Sequence, residues 1–411
     1  MMLPFALLLG AMALAPLVRP DWWQRHYGKI AFGLGAVTLG YYLFILRDTP
    51  RVGHTAHDYV SFIVLIGSLF VVASGIHLRV PGRATPAANV LFLFVGAVTA
   101  NVLGTTGAAM LLIRPWLEIN RWRAAAHHVV FFIFLVANVG GCLTPIGDPP
   151  LFLGYLQGVP FWWVAQHCWP MWATGVGILL AIFYVVDRIN FYRASPPIPP
   201  DVAQSHAWKF GGWPNLFFLA IIAASVFLTR PIFLREALML AAAAGSYFMT
   251  PKTVHAANDF NFHPVQEVAI LFAGVFATMM PALDWLRLNA HALLGGHPAP
   301  GIFYWGTGIL STLLDNAPTY LGVFSAWSGA SGQPAAADLL RQPSPILAAI
   351  SVGAVFFGAA TYIGNGPNFM VKAMADRQGA PAPSFPGMVC RFTLPFLLPV
   401  LVAVWLLFFR Y

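Results

Sequence analysis

Two aspartates lie in stretches of sequence that otherwise carry almost no charge. Asp148 lies in "NVGGCLTPIGDPPLFLG", residues 138–154, and Asp315 lies in "LLDNAPTY", residues 313–320. Both are surrounded by hydroxyl, amide and backbone oxygens, the ligands that a hard cation prefers. An apolar environment raises the affinity of a carboxylate for a proton, and a bound cation lowers it. Either aspartate could therefore exchange a proton for a cation.

Both residues also have a structural interpretation, and the residues alone leave it open. Asp148 precedes two prolines, where aspartate is common as a turn residue or a helix cap. Asp315 and Asn316 could form the tip of a helical hairpin, with the aspartate capping its second helix. Against this, a charged side chain at the centre of a membrane helix costs about 2.5–3.5 kcal/mol on insertion scales, and such residues usually face a cavity and a partner.

The composition indicates that lipid is the surrounding medium. Of 411 residues, 59% are hydrophobic and only 9% are charged, and the mean hydropathy is +0.72. Apolar stretches that approach or exceed the roughly 20 residues of a spanning helix recur along the whole chain, and most are far longer than barrel strands. We therefore predict an all-α integral membrane protein with about ten to twelve membrane segments.

The charge pattern and the cysteines exclude several other classes of function. The net charge is +8, but the basic residues stand singly in short connections, which is typical of loops at a membrane surface and not of a nucleic-acid partner. Three distant cysteines have no metal-ligand or redox spacing, so no cofactor is expected. The sequence has no hydrolase motif, so no enzyme is expected. The adjacent His127 and His128 follow a basic loop, which favours a position at the membrane interface.

One polar, proline-rich segment divides the chain. We predict N-terminal membrane helices over residues 1–56, a first repeat over residues 57–186, a linker over residues 187–212, and a second repeat with flanking helices over residues 213–411.

The two halves can be aligned at three places. The segment at Asp58 resembles the segment at Glu267, "TANVLGTTGAAML" aligns with "STLLDNAPTYLGV", and "GGCLTPIGDPPLFL" aligns with "GAATYIGNGPNFMV". The offsets are about 209 to 218 residues and keep the same order, which chance similarity between hydrophobic segments rarely produces. Interrupted segments at matching positions of two halves are typical of secondary transporters, whose binding sites lie where the helices unwind. Proline and glycine predict such breaks at "TPIGDPP" and "TYIGNGPN".

The motifs "LLDNAP" and "NVGGCLTPIGD", with the repeat arrangement, resemble the ion-transporter superfamily, most closely its NhaD-type sodium/proton antiporter branch. The resemblance covers residues of about 57–160 and 265–375. It implies two inverted repeats, each giving a re-entrant hairpin tip and an unwound helix to a central cation site. The implied ion-binding residues are Asn101, Thr105, Thr106, Thr144, Gly147, Asp148, Asp315, Asn316, Thr319, Thr361, Gly364, Asn365 and Asn368.

The resemblance implies exchange of Na⁺ for H⁺, with Asp148 and Asp315 as the carriers of both ions. Two departures favour an alternative substrate. The first hairpin, "NVLGTTGAA", has no acid, and the breaks also resemble those of the related citrate and dicarboxylate carriers. The alternative is thus a cation-coupled carrier of citrate or another carboxylate. We expect the protein in a bacterial inner membrane, with the lipid bilayer, Na⁺ and protons as partners, and the sequence leaves a homodimer open.

Overall fold

The fold is almost entirely helical, as a computed structural model shows for residues 1–79, 84–194, 209–228, 230–294, 299–330 and 344–410. The helices are α1 (Leu3–Val18), α2 (Pro20–Gly40), α3 (Thr49–Ser74), α4 (Pro86–Asn120), α5 (Ala126–Leu135), α6 (Pro149–Leu156), α7 (Trp163–Arg193), α8 (Pro214–Ser225), α9 (Leu234–Met249), α10 (Lys252–Ala257), α11 (His263–Leu294), α12 (Pro300–Leu313), α13 (Asn316–Ala330), α14 (Pro345–Gly358), α15 (Gly366–Arg377), α16 (Phe385–Met388) and α17 (Leu398–Phe408). The prediction of an all-helical membrane protein is confirmed.

Short irregular helices and one small sheet complete the architecture. Residues Tyr41–Leu46 and Val389–Leu397 are π-helical, and Arg121–Arg123 and Val139–Gly141 form single 3₁₀ turns. The sheet has two short antiparallel strands, β1 (His77–Arg79) and β2 (Lys209–Gly211), so "all-α" holds apart from these six residues.

Six of the described helical segments are long and apolar enough to cross a membrane. They are Pro20–Leu46, Thr49–Ser74, Pro86–Arg123, Trp163–Arg193, His263–Ala292 and Phe385–Phe408. Four shorter apolar helices lie among them, of which Ala126–Gly141 and Pro345–Gly358 lead into the two breaks. The chain is therefore a multi-pass membrane protein, and the number of ten to twelve crossings remains a prediction.

The helix α4 is a hairpin and not a straight rod. Gly104 has φ +73° and ψ 156°, a conformation that only glycine adopts without strain, and the chain reverses there. As a result, Asn89 near the start of α4 donates to Asn120 at its end, 2.8 Å away. The tip of this hairpin lies at Gly104 and Thr105, and its open end lies at Asn89 and Asn120.

Both predicted breaks are unwound. The chain leaves the α-helix after Leu135 and resumes it at Pro149, and it leaves again after Gly358 and resumes at Gly366. We call residues 136–148 the first break and residues 359–365 the second break. Each break is followed by a helix that begins with a proline in its first turn, where the missing N–H is not needed.

The described ends of the predicted linker are ordered. Helix α7 continues to Arg193, and β2 begins at Lys209 and pairs with β1. Residues 195–208 of the predicted linker lie outside the described residues.

Candidate ion-binding site

In the first half, hydrogen bonds close the hairpin tip onto the first break. The Thr105 amide donates to the Gly147 carbonyl over 2.7 Å. The Thr144 hydroxyl donates to the Asn101 carbonyl over 2.6 Å and accepts from the Gly147 amide over 3.0 Å. The break therefore keeps a fixed shape although its only helical element is the 3₁₀ turn Val139–Gly141.

The second half repeats this pattern. The backbone amide of Asn316 donates to the Gly364 carbonyl over 3.1 Å. The Thr361 hydroxyl donates to the Thr312 carbonyl over 2.8 Å and accepts from the Gly364 amide over 3.2 Å. The loop between the helices α12 and α13 thus forms a second tip, which contacts the second break as the first tip contacts the first break.

These matching bonds give the register between the halves. Thr105 corresponds to Asn316, 211 residues later, and Thr144 corresponds to Thr361, 217 residues later. The sequence alignment above is displaced by one residue at both motifs. The apolar residues around each motif can be aligned equally well with a shift of one residue, so they do not fix the register. A threonine hydroxyl that accepts from a glycine amide fixes it, because only one threonine among the described residues of each half makes this bond. In this register Asp148 corresponds to Asn365 and Asp315 corresponds to Gly104.

Close backbone contact inside each break requires glycine. A Cβ on Gly147 would overlap the carbonyl of Gly141, and a Cβ on Gly364 would lie 2.7 Å from the carbonyls of Gly358 and Ser311. No side chain fits at these positions without movement of the backbone.

Asp148 lies where the two halves meet. Its side chain is buried, with 1% of the residue exposed. Its Oδ1 accepts from the Thr105 hydroxyl over 2.8 Å and from the side-chain amide of Asn365 over 2.9 Å. Its Oδ2 accepts from the side-chain amide of Asn316 over 2.7 Å. Asp148 occupies the N-cap position of α6 but makes no capping bond. The capping interpretation is therefore wrong for Asp148, because its carboxylate is turned away from its own helix and toward three donors.

Asp315 is held differently. Its Oδ1 accepts from the Ala317 amide over 3.0 Å, which is a capping bond at the start of α13. Asp315 also lines a cleft with Thr106 and Asn365, between the second break and two apolar helices. The apolar residues in this cleft are Phe62, Ile66 and Phe70 of α3 and Val265, Val268 and Phe272 of α11. Asn316, the next residue in the chain after Asp315, donates from Nδ2 to Asp148 over 2.7 Å and so links the two aspartates.

The other predicted site residues form a support for this centre. Thr319 donates to the Asp315 carbonyl within its own helix, and Asn101 donates to the Gly140 carbonyl over 2.7 Å. Thr106 lines the cleft. The structure therefore brings Thr105, Asn316 and Asn365 into direct contact with Asp148, and places Asn101, Thr144, Gly147, Thr361, Gly364 and Asn368 in the backbone frame around it.

Two residues of the frame are not among the predicted ion-binding residues. Asn138 in the first break donates to Asn368 over 2.6 Å and so joins the two breaks. Trp172 on α7 donates from Nε1 to the Gly140 carbonyl over 2.9 Å. Asn138 could have been found as the first residue of the motif "NVGGCLTPIGD" and as a polar residue in an apolar stretch, whereas tryptophan in a membrane helix gives no such signal.

A second buried polar cluster surrounds Asp187 near the end of α7. Its carboxylate forms an ion pair with Arg123, accepts from Asn89 over 3.0 Å, and lies 3.0 Å from the Nε2 atoms of both His127 and His128. Both histidines are buried in the protein, and their position at the membrane interface stays a prediction. They lie in the first turn of α5, where both rings can reach one acceptor on α7.

The geometry of this cluster argues for a structural role. Because the Ala125 amide donates to Nδ1 of His128, the neutral ring carries its proton on Nε2 and donates to Asp187. A protonated Nε2 cannot bind a metal ion, although the three side chains are close enough together for one. The cluster fixes the open end of the α4 hairpin to α7.

Unwound breaks and hairpin tips that meet at a buried carboxylate are typical of membrane transporters. The family comparison agrees with this class. A family model described as "Putative citrate transport" matches residues 1–409, and the chain belongs to this family. No curated protein matches the chain.

Proposed function

We propose that the protein exchanges Na⁺ for H⁺ across a bacterial inner membrane and that Asp148 is the group for which the two ions compete. The observation that carries this proposal is the charge of the site. Asp148 is linked to Asp315 through Asn316, so two carboxylates belong to one site, and among the described residues that line the adjoining cleft there is no Lys, Arg or His. A site of this charge attracts a cation and repels an anion.

The contacts of Asp148 suit a carboxylate that alternates between an ionised form without a bound ion and a form that binds a proton or a sodium ion. In the empty, ionised form, three neutral donors, Thr105, Asn316 and Asn365, stabilise its charge inside an apolar surrounding. A proton removes the charge, and a sodium ion neutralises it. The two ions therefore exclude each other at one group, which is the requirement for exchange.

Oxygen ligands for sodium are present beside the carboxylate. The Oδ1 atom of Asn316 is buried and has no hydrogen-bond partner among the described residues. A buried polar atom without a partner is costly, and a cation at this point would satisfy it. Asp315 supplies a second negative charge nearby, with Oδ1 used as a helix cap.

Transport of citrate with a coupled cation is the second candidate, because the family description names this substrate. The starts of α6, α13 and α15 meet at the site, and their positive ends could hold an anion. In the described structure Asp315 already caps the start of α13, and Asp148 stands at the start of α6 without capping it. A citrate ion would therefore have to bring its own cations to offset the two carboxylates.

The test uses the purified protein in liposomes that contain a pH-sensitive dye. With no organic anion present, an inward sodium gradient should move protons outward, and Asp148→Asn should abolish this movement. Proton movement that appears only after addition of citrate, or sodium uptake that requires citrate, would replace the proposal with the second candidate.

A further inference from the structure

Three asparagines form a chain of amides between the two breaks. Asn138 belongs to the first break, and Asn365 and Asn368 end the second break and begin α15. All three are buried. The Asn138 side chain bonds to both of the others, and the Asn365 side chain also bonds to Asp148. The direction of each amide therefore determines what Asp148 faces.

Backbone carbonyls fix the first two amides, because a carbonyl only accepts. Asn368 donates from Nδ2 to the carbonyls of Gly358 and Thr361, each over 2.8 Å. Its Oδ1 must then face Asn138, which donates to it over 2.6 Å and to the Ile133 carbonyl over 2.8 Å. The Oδ1 atom of Asn138 is consequently directed at Asn365.

The same logic fixes Asn365. Its Nδ2 faces three acceptors: the Ala137 carbonyl at 3.1 Å, Oδ1 of Asn138 at 3.2 Å, and Oδ1 of Asp148 at 2.9 Å. Rotation of this amide would place its oxygen against three other oxygens. Asn365 is thus held as a donor to Asp148 and cannot offer Oδ1 to a cation at that point.

Asn316 contrasts with Asn365. Its Nδ2 donates to Oδ2 of Asp148 over 2.7 Å, but its Oδ1 is buried without a partner among the described residues. Among the described residues, the Asp148 carboxylate is therefore the only hydrogen-bond partner of the Asn316 side-chain amide. When the carboxylate is neutralised, Asn316 can turn and present its oxygen.

We propose that Asn365 is a positioning residue, locked by Asn138 and Asn368, and that Asn316 is the amide that supplies an oxygen to the bound cation. This inference rests on the proposed cation site and assigns different roles to its two asparagines. Asn365 holds the carboxylate in place in every state. Asn316 changes partners.

Binding of ²²Na⁺ to the purified protein in detergent, at a pH where the wild type binds, tests this division. Because contacts to a charged group are worth about tenfold or more in affinity, Asn316→Ala should weaken binding by at least about tenfold. Asn365→Ala removes only a donor, so its affinity should stay within about threefold of wild type or increase. Weakening by Asn365→Ala as large as that by Asn316→Ala would overturn the inference.

The lock itself can be tested without sodium. A double-mutant cycle of Asn138→Ala and Asn365→Ala, measured by thermal unfolding in sodium-free buffer, should show coupling, whereas additive effects would overturn the inference. Asn289→Ala is the control, because the half-buried Asn289 donates to the Trp285 carbonyl on its own helix and should not couple to Asn365. A wild-type protein that binds no sodium would refute the proposed function. The double-mutant cycle would still test whether Asn138 holds Asn365 in its orientation.

Discussion

Replacement of Asp148 by asparagine should abolish exchange and leave the protein folded. The introduced asparagine keeps one oxygen in the position of Oδ1, which can still accept from Thr105 and Asn365. Its amide nitrogen faces Asn316, whose unpartnered Oδ1 can turn to accept the new donor. All three contacts therefore survive as neutral hydrogen bonds.

The free-energy balance follows from these contacts. Three bonds to a charged acceptor become three neutral bonds, a loss of about 1 kcal/mol each, whereas removal of a buried charge recovers several kcal/mol of desolvation. We expect a net change in unfolding free energy of less than about 2 kcal/mol. Asp148→Leu, of similar branched shape, recovers the same desolvation but leaves three buried donors unpaired at about 1–3 kcal/mol each, so it should be roughly 3–9 kcal/mol less stable than the asparagine variant.

Thermal unfolding in detergent and dye-loaded liposomes together test this reasoning. The asparagine variant should unfold near the wild-type temperature without sodium-driven proton movement, and the leucine variant should unfold far lower. An asparagine variant as unstable as the leucine variant would refute the amide rearrangement. Wild-type exchange by the asparagine variant would refute Asp148 as the carrier.

Four further outcomes are expected. Thr144→Val and Thr361→Val should each destabilise by about 1–3 kcal/mol in thermal unfolding, because each loses the same two hydrogen bonds, and Thr361→Val loses in addition the bond from the Ile363 amide; a much smaller effect of Thr361→Val than of Thr144→Val would contradict the common register. Gly104→Ala should lower the unfolding temperature through a strained φ at the hairpin tip, a cost of about 1–2 kcal/mol that Gly33→Ala, with open space around it, should not show. Asp187→Leu leaves Arg123 buried without its partner and should cost about 3–5 kcal/mol of unfolding free energy, while the folded fraction still exchanges ions in liposomes. Asp315→Asn should keep the capping bond and the unfolding temperature but weaken apparent sodium affinity, and a wild-type affinity would reduce Asp315 to a cap.

The sequence predicts the breaks well because their causes are local. Proline and glycine cannot continue a helix, so "TPIGDPP" and "TYIGNGPN" indicate unwinding wherever they lie. The importance of Asp148 also follows from the sequence, because a carboxylate in an apolar stretch needs a partner. Its pairing with Asn316 and Asn365 was expected only through the resemblance to a family.

The direction of each side chain does not follow from the sequence. Asp148 and Asp315 both stand before the first turn of a helix, but only Asp315 uses its carboxylate as a cap. The difference arises because donors from the other half of the chain reach Asp148. Likewise, Asp187 lies 59 residues after His128, and only the antiparallel course of α5 and α7 brings them together. Such contacts depend on tertiary packing, which no local pattern encodes.

The register between the halves has a consequence for the ancestry of the chain. At the tip and break positions, the first half carries its acid in the break, at Asp148, and the second half carries its acid at the tip, at Asp315. If the halves arose by duplication of one unit, the two copies at first carried the same residues at the tip and at the break. An acid at either position in one copy was then also present in the other copy. The present pair of acids at non-equivalent positions is therefore a product of divergence, and neither half could replace the other without changing the charge of the site.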